Sequence, residues 1–544
     1  MDISRRDLHK GLLSLLLLGA ARAEAAQVSP GLVILNRLTF GATPQNRTDL
    51  ERQGLSDWLD AELAKPATDP ALDRLLSQAK LQIAYGPGSN DTGAAWDGLD
   101  EMRHLNTLNA DTASLMPLLD FEQPVSFAER IRPADEVKAA SLIRAVNADA
   151  QLRELMTAFW HEHFSVNAYK DGPTAVFFPA YDRMLRGHAF GNFRMMLGDV
   201  ATAPAMLSYL NNDASRASPA NENFARELLE LHTLGVKHYF NDIYDDWRQV
   251  PGATDGKATG YIDQDVYEVA RAFTGWSIGD GRGNGKGIHA PLTGAFHYVE
   301  RWHDPYQKRV LSVEFPPNRA PLADGEQVLD MLAAHPATAH HVAGKLLLRL
   351  GIESPSADYH AAVAARFHAL VDDPDQIAHV LRTIVLHDEF QQTPPSKLRR
   401  PFEYLAGIYR ASGAHVHAPT LDFDWHLGRA GWTQHAVKPP TGHPDHTADW
   451  ANTRTLQGLI GLALYAHEGW MGAQMPGSGA LREVTSLQSL AQRTENRFGV
   501  PEGTVSQALA TLGVETLPDD RDGRVWVASV VHAAAALHPQ FVLR

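Results

Sequence analysis

Apolar residues recur at three- and four-residue spacing along most of the chain, which is the spacing of one face of an α-helix. Glycine, proline and short polar runs separate these stretches. The pattern predicts helices over residues 137–164, 180–210, 219–234, 264–274, 325–351, 358–370, 375–387, 399–411, 450–467, 482–497 and 525–537. We therefore expect a mainly α protein whose helices form a multi-helix globular body.

A strand pattern is concentrated in one region. Residues 296–302 and 309–315 are rich in β-branched and aromatic residues, and the His-Asp-Pro sequence at 303–305 has the composition of a turn. These segments predict a small inserted β-ribbon near 294–316. The Gly-rich stretch 277–295 is predicted to be a loop that leads into it.

The predicted organisation is a single large helical domain over residues 26–544. It carries two insertions, a loop at 238–263 and the β-ribbon at 277–320. Both insertions are richer in Gly, Pro and Asp than the helical segments around them, which is the composition of exposed connections.

Residues 1–25 have the three parts of an export signal. Arg5 and Arg6 precede an apolar run at 11–21, and small residues on either side of Glu24 provide a cleavage pattern. The run is too short to span a bilayer as a stable helix. The paired arginines favour a twin-arginine signal over an ordinary secretory one, so we expect a periplasmic or secreted protein.

Composition narrows the possible chemistry. The 544 residues carry a formal net charge of −15, which disfavours a nucleic-acid partner. There is no cysteine, which excludes disulfides and cysteine-ligated metals, whereas 26 histidines leave open a site built from His and carboxylates. After the signal, no segment reaches the roughly 18 consecutive apolar residues of a membrane-spanning helix, so the exported chain is not expected to span a membrane.

The helix predicted at 221–235 has the most polar face in the chain. At about 100° per residue, one stripe is entirely polar and the opposite side is apolar, with His232 among its residues. The stripe consists of Asn223, Arg226, Glu227 and Glu230. It is either a catalytic site that faces inward, toward residues 161–163, or a solvated face on which Arg226 and Glu230 form an i, i+4 pair. We expect it to face inward.

Residues 159–164 supply two histidines two positions apart. On a continuous helix His161 and His163 point about 200° apart, so they can share a metal ion only if the helix ends here. The apolar face of the preceding helix continues to His163, which therefore points inward. The pair is a candidate divalent-metal site, and packing with backbone hydrogen bonds is the alternative.

His303 and Asp304 stand at the predicted tip of the ribbon. A histidine beside a carboxylate can act as a general base or a metal ligand, and the alternative is that both side chains serve the turn. We expect the ribbon to fold over the helical body, so that His303 reaches Arg226 or Glu227 and closes a pocket.

A further polar group lies in the loops of the C-terminal part. Such residues could chelate a divalent ion, but in Pro-rich loops they are usually only solvated. The group consists of His415, His417, Asp422, Asp424, His426, His443, Asp445 and His446.

Several of these stretches resemble the bacterial family called domain of unknown function 1800. The most specific is NENFARELLELHTLGV at 221–236, and Glu162 departs from the asparagine expected in the family. The other matching stretches are 159–164, 270–276, His303-Asp304 with Lys308, 335–339 with Lys345, and KLRRPFE at 397–403. The resemblance implies an exported, mainly helical protein, often encoded beside a sulfatase-like or phosphatase-like partner. It implies no known reaction, and it raises as site residues Arg226, Glu227, Glu230 and His303.

Two functions remain open. The leading hypothesis is an enzyme with a His/carboxylate site, with or without a divalent metal, for which metal-assisted hydrolysis is favoured over oxidation. The rival is a noncatalytic factor that binds or assembles envelope polymers together with a secreted partner. It would stack the polymer on aromatic residues of exposed loops. Those residues are Trp247, Tyr261, Trp302 and Trp450.

Overall fold

A computed structural model describes residues 29–243, 246–285, 287–416, 422–466, 468, 471–474 and 486–544. The predicted export signal lies outside these residues. Throughout the described part α-helices dominate, and the strands form only two-stranded antiparallel sheets. The mainly α class predicted from the spacing of apolar residues is confirmed.

Helices in the first half of the body are mostly short, and several have a proline at the first or second position, after a side-chain cap. They are α1 (Pro30–Leu38), α2 (Pro44–Gln53), α3 (Leu55–Ala64), α4 (Pro70–Gln78), α5 (Thr112–Leu115), α6 (Phe127–Asn147), α7 (Gln151–His163), α8 (Gly172–Gly187), α9 (Phe193–Thr202), α10 (Pro204–Tyr209) and α11 (Glu222–Glu227). A π-helical turn, Leu228–His232, continues α11.

Helices of the second half follow the predicted ranges more closely. They are α12 (Asp263–Ala272), α13 (Ala323–Ala333), α14 (Pro336–Arg349), α15 (Ala357–Ala369), α16 (Gln376–Val385), α17 (Asp388–Gln392), α18 (Pro401–Ser412), α19 (Asp422–Arg429), α20 (Thr447–Trp450), α21 (Thr453–Tyr465), α22 (Leu487–Phe498), α23 (Thr504–Thr511), α24 (Arg521–Ala536) and α25 (Pro539–Val542).

Three predicted long helices are interrupted. The range 137–164 is divided between α6 and α7, the range 180–210 among α8, α9 and α10, and the range 325–351 between α13 and α14. The side chain of Asn192 caps α9 by accepting from the N–H of Met195, and Pro204 begins α10. A cap and a proline stop a helix even where the spacing of apolar residues continues.

The strands form small hairpins. Those before α5 are β1 (Lys80–Tyr85), β2 (Gly88–Ser89), β3 (Ala95–Trp96) and β4 (Leu99–His104), of which β1 pairs with β4 and β2 with β3. Those between α12 and α13 are β5 (Trp276–Asp280), β6 (Gly283–Gly285), β7 (Ile288–His289), β8 (Leu292–Tyr298), β9 (Lys308–Val310) and β10 (Val313–Phe315). A last pair is β11 (His415–Val416) with β12 (Ala473–Gln474).

The inserted β-ribbon is present, but its strands pair differently from the prediction. Strand β8 pairs with β5, and β9 pairs with β10 in a separate hairpin. The predicted pairing of 296–302 with 309–315 is wrong, because part of the Gly-rich stretch is itself a strand. Gly279 is required there, since an added Cβ would lie 2.5 Å from Oγ1 of Thr293.

A continuous hydrophobic core extends from Leu32 to Val542, and α7 and the π-helical turn lie inside it. Trp160 and Leu229, for example, are fully buried. Polar groups on these two elements that point inward must therefore find partners inside the protein. Within the described residues, no helix has both the length and the apolar composition needed to cross a membrane.

Candidate functional site

The polar stripe lies where α11 widens into a π-helical turn. Asn221 starts the helix, with its side chain accepting a hydrogen bond from the N–H of Asn223. The turn Leu228–His232 follows, and Gly235, with φ of 89°, ends the segment in a conformation that glycine favours. A π-helical turn displaces side chains from the regular helical positions and occurs frequently at functional sites.

Two carboxylates of the stripe have no polar partner. Glu227 and Glu230 are half-buried, and within the described part of the chain neither makes a hydrogen bond or an ion pair. Burial and the neighbouring charge of Glu230 raise the pKa of Glu227 to about 7, although Arg226 acts in the opposite direction. At neutral pH Glu227 therefore exchanges a proton readily, which is the property of a catalytic acid or base.

Tyrosines surround this pair. Tyr261 is fully buried, and its hydroxyl has no hydrogen-bond partner among the described residues. Burial and then the charge of Glu230 raise the pKa of Tyr261, while burial and Glu227 raise the pKa of Tyr209 to about 12. Both phenols thus stay neutral donors beside the carboxylates.

Arg226 is held at the edge of the site. Its guanidinium lies 3.3 Å from Glu222 and 3.6 Å from Asp263, at the first turn of α12. Tyr239 donates to Asp263 at 2.8 Å and stacks on Tyr261, with ring centroids 5.2 Å apart. These contacts connect α11 to α12 and fix the position of Arg226, which acts on Glu227.

The stripe differs in orientation from the prediction. Asn223 is exposed, and the side of the segment that meets α7 is the apolar side. There His163 donates from Nε2 to the carbonyl oxygen of His232 at 3.1 Å, and the two ring centroids are 6.2 Å apart. His232, and not the polar stripe, therefore faces residues 161–163, because the apolar residues around His232 pack against the core.

His161 and His163 have separate partners. The Nε2 atom of His161 lies 3.1 Å from the carboxylate of Asp182, which also binds Arg144 at 2.9 Å and Arg186 at 3.2 Å. His163 bonds to the backbone of the π-helical turn instead. The two rings thus do not face one point, and no three His, Asp or Glu side chains of the described ranges are arranged to hold a metal ion.

His303 and Asp304 belong to a structural ion network rather than to the stripe. His303 contacts the carbonyl oxygen of Thr274 at 3.0 Å and Asp324 at 3.3 Å. Asp304 is buried and binds Arg271 through hydrogen bonds of 2.7 and 3.0 Å. The prediction that His303 reaches Arg226 or Glu227 is wrong, because its turn packs against the ends of α12 and α13.

Glu162, which departs from the expected family residue, anchors a loop. Its carboxylate accepts the backbone N–H of His443 at 2.6 Å and lies 3.2 Å from Nδ1 of the same ring. Trp432 stacks on that ring at 3.8 Å between centroids. An added Cβ at Gly442 would lie 2.5 Å from the carbonyl oxygen of Glu162, so the loop approaches α7 closely.

The further polar group of the C-terminal loops is divided among unrelated contacts. Asp424 pairs with Lys138 at 2.5 Å, and Asp445 pairs with Lys397 at 2.7 Å. His443 is hydrogen-bonded to Glu162. His417 and the side chain of Asp422 lie outside the described residues. The described members do not form one chelating site, since each has a different partner.

The aromatic residues proposed for stacking are mostly buried. Tyr261, Trp302 and Trp450 are at most 5% exposed. Trp247 is half-buried between the guanidinium groups of Arg248 and Arg309, whose carbons lie 4.6 and 4.5 Å from its ring centroid. The expectation of an exposed aromatic surface on these residues is wrong, because their loops fold back onto the body.

Sequence reasoning missed two sets of residues around the stripe. Tyr209, Tyr239 and Tyr261 come from three separate segments, and no spacing in the sequence connects them. His341 and Lys345, on the other side of the π-helical turn, are four residues apart on α14. That i, i+4 spacing of two basic residues on an otherwise apolar helix face was a usable signal.

The fold and the site define a mainly α protein with a carboxylate and tyrosine cluster on a π-helical turn. The chain belongs to the family described as protein of unknown function (DUF1800), which matches residues 33–542. No curated protein and no solved structure matches the chain. Family membership therefore covers nearly the whole body but supplies no reaction.

Proposed function

We propose that the protein is an exported hydrolase in which Glu227 and Glu230 carry out general acid–base catalysis. The observation that carries this proposal is the pair of half-buried carboxylates without partners, one of which has its pKa raised to about 7. Two titratable groups in different environments can divide the roles of proton donor and proton acceptor. Asp304 and Asp324, the carboxylates of the structural ion network, are instead bound to cations.

The position of each group suggests its role. Glu227 donates a proton to the leaving oxygen, and Glu230, whose charge acts on Glu227 from three residues later, accepts a proton from water. The free hydroxyl of Tyr261 is available to donate a hydrogen bond to a substrate oxygen. A substrate with an alcohol or sugar leaving group fits this arrangement, because such a group needs a proton when its bond breaks.

The leaving group provides the sharpest test. Esters and glycosides would be compared in pairs, each with a 4-nitrophenyl or a methyl leaving group. We expect Glu227→Gln to lose far more activity on the methyl substrates, since 4-nitrophenolate leaves without protonation. Glu502→Gln, a change of an exposed glutamate outside the stripe, is the control. Equal losses on both leaving groups would reject Glu227 as the acid, and an absence of hydrolysis throughout would reject the reaction class.

A metal-assisted form of the same hydrolysis can be told apart from proton transfer alone by removing metal ions. A divalent ion between the two carboxylates would activate water, and its removal would abolish hydrolysis. We expect activity to survive dialysis against a chelator if Glu227 and Glu230 act by proton transfer alone. Loss on chelation and recovery with one added metal would assign the metal-assisted version.

Export is the remaining part of the proposal. It rests on the paired arginines before the short apolar run at 11–21. We expect the double change Arg5→Lys and Arg6→Lys to retain the protein in the cytoplasm in folded form, measured by fractionation and by circular dichroism. Unchanged periplasmic levels would reject the twin-arginine route.

A further inference from the structure

Three histidine rings meet on the apolar side of the π-helical turn. The ring centroid of His163 lies 6.2 Å from that of His232 and 6.1 Å from that of His341. His163 and His232 are each only 1% exposed. Three of their nitrogens, Nδ1 of His163 and both ring nitrogens of His232, have no hydrogen-bond partner among the described residues. Buried polar atoms without partners are costly, so these nitrogens indicate an occupant.

The hydrogen bonds that these rings do make define their protonation. His163 donates from Nε2 to the carbonyl oxygen of His232, and His341 donates from Nε2 to that of Leu231 at 2.9 Å. The proton is therefore on Nε2 in both rings, and each Nδ1 presents a lone pair. Burial keeps the pKa of His232 at about 3 and that of His341 at about 4, so the rings are neutral. An occupant must donate hydrogen bonds to these lone pairs.

Lys345 adds a positive charge without a counterion. It lies one turn after His341 on α14, is half-buried, and makes no hydrogen bond or ion pair within the described ranges. Its i, i+4 spacing puts it on the same face of α14 as His341, and burial and then the charge of Lys345 lower the pKa of His163, His232 and His341. An ammonium group in this position favours an anion.

The nearest carboxylates are already occupied. Glu162 is bound to His443, and Asp445 is bound to Lys397 and lies 3.5 Å from Arg400. Two carboxylates, Glu403 and Asp445, are shared by a larger number of buried cations. Those cations are Arg349, Lys397, Arg400 and Arg544. The region beside Lys345 thus has an excess of positive charge.

The spacing of the rings is wider than a shared metal ion requires. Two imidazoles bound to one zinc ion at about 2.1 Å would have centroids roughly 5 Å apart. The observed separations are 6.1 and 6.2 Å. This agrees with the lack of a three-ligand metal set in the described residues.

We propose that His163, His232, His341 and Lys345 form a binding site for an oxyanion that carries an O–H group, of which hydrogen phosphate is the simplest. The negative oxygens face Lys345, and the O–H group donates to an imidazole lone pair. Sulfate has a similar size and charge but no proton at neutral pH, so it lacks the donor that the rings require. This site is separate from the carboxylates of the stripe and does not depend on the proposed hydrolysis.

Isothermal titration of the full chain with inorganic phosphate and with sulfate, in a zwitterionic buffer at pH 7, tests the proposal. We expect saturable binding of phosphate and none of sulfate. Lys345→Met should weaken phosphate binding at least tenfold, whereas Lys257→Met, which removes an exposed lysine outside the site, should leave it unchanged. Glycerol 2-phosphate distinguishes the source, because its binding would indicate a phosphomonoester end and its failure would indicate the free anion.

Three results would overturn the proposal: no phosphate binding by the folded protein, equal binding of phosphate and sulfate, or wild-type binding by the Lys345→Met variant. The first would mean that the site holds only water. If Lys345→Met does not fold, His341→Phe keeps a ring of similar shape on a half-buried position and removes the lone pair. It should lose phosphate binding to a similar extent.

Discussion

Carboxylates lie near both ends of α12, and those at the C-terminal end are paired with cations, whereas the two of the polar stripe near the N-terminal end are not. At the C-terminal end, Arg271 binds Asp304, and Asp324 receives Lys308, Arg319 and His303. At the N-terminal end, about 12 Å away along the helix axis, Glu227 and Glu230 have no partner in the described structure. Both regions contain charged side chains, buried in the first and half-buried in the second, so residue type does not distinguish them. What distinguishes the two regions is whether the carboxylates have cationic partners.

The difference appears in the protonation of the carboxyl groups. Nearby cations and hydrogen bonds hold the pKa values of Asp304 and Asp324 below their usual range, and these groups stay charged. Burial beside Glu230 raises that of Glu227 to about 7 instead. A group that stays charged serves stability, whereas a group that titrates near neutrality can transfer protons.

The largest expected effect is at Asp324. Asp324→Asn leaves the ammonium of Lys308, whose side chain is fully buried, without its closest charge at 2.7 Å. Removing one partner of a buried pair costs about 3–5 kcal/mol, measured by urea unfolding. Asp330→Asn, on the same helix but 66% exposed, should change stability little. A small effect at Asp324 would mean that the cluster is not structural.

His303→Ala should have a smaller effect of the same kind. It removes the contacts to Thr274 and Asp324, and we expect a loss of about 1–2 kcal/mol with no change in any activity. Thermal unfolding measures the first and the leaving-group assay the second. An inactive variant of normal stability would instead restore His303 to the catalytic residues.

The sequence located the stripe but not its surroundings. The spacing of apolar residues predicts the helix that carries the stripe. The loop 238–263 has the polar, Gly-rich composition of an exposed connection, yet its ends pair with each other, since Phe240 donates to the carbonyl oxygen of Tyr261 at 2.9 Å. That pairing buries Tyr261 beside Glu230, and composition does not reveal a contact between residues 21 positions apart.

The β-ribbon gives a second example of contacts that the sequence does not reveal, those of His303. The sequence pattern predicts the strands of 296–302 and 309–315, but the glycines of 277–295 conceal β5, because glycine marks both loops and strands in which the backbone approaches closely. The predicted pairing therefore puts His303 at a free tip. Its true neighbours, Thr274 and Asp324, lie on either side of the insertion and could only be known from the fold.

Glu227→Gln should stabilise the folded protein, whereas removing a buried charged carboxylate usually destabilises it. The folded protein raises the pKa of Glu227 from 4.5 to about 7, so the wild type loses stability as pH rises between these values. The variant avoids that cost, and we expect it to be about 1 kcal/mol more stable at pH 8 and equal at pH 4, after allowance for partial exposure. A variant that is less stable at pH 8 would show that the carboxylate has a partner.

The smallest expected effect, at Arg226, separates its influence on stability from its influence on Glu227. The Arg226 side chain is 36% exposed and its partners Glu222 and Asp263 are 46% and 38% exposed, so Arg226→Gln should change stability by less than about 0.5 kcal/mol. Arg226 nevertheless lowers the pKa of Glu227, and its removal should raise that pKa further, measured by carbon NMR of the side-chain carboxyl groups. The acid-dependent part of the hydrolysis profile should then move to higher pH. An unchanged pKa with a large loss of stability would mean that Arg226 joins α11 to α12 and does not act on Glu227.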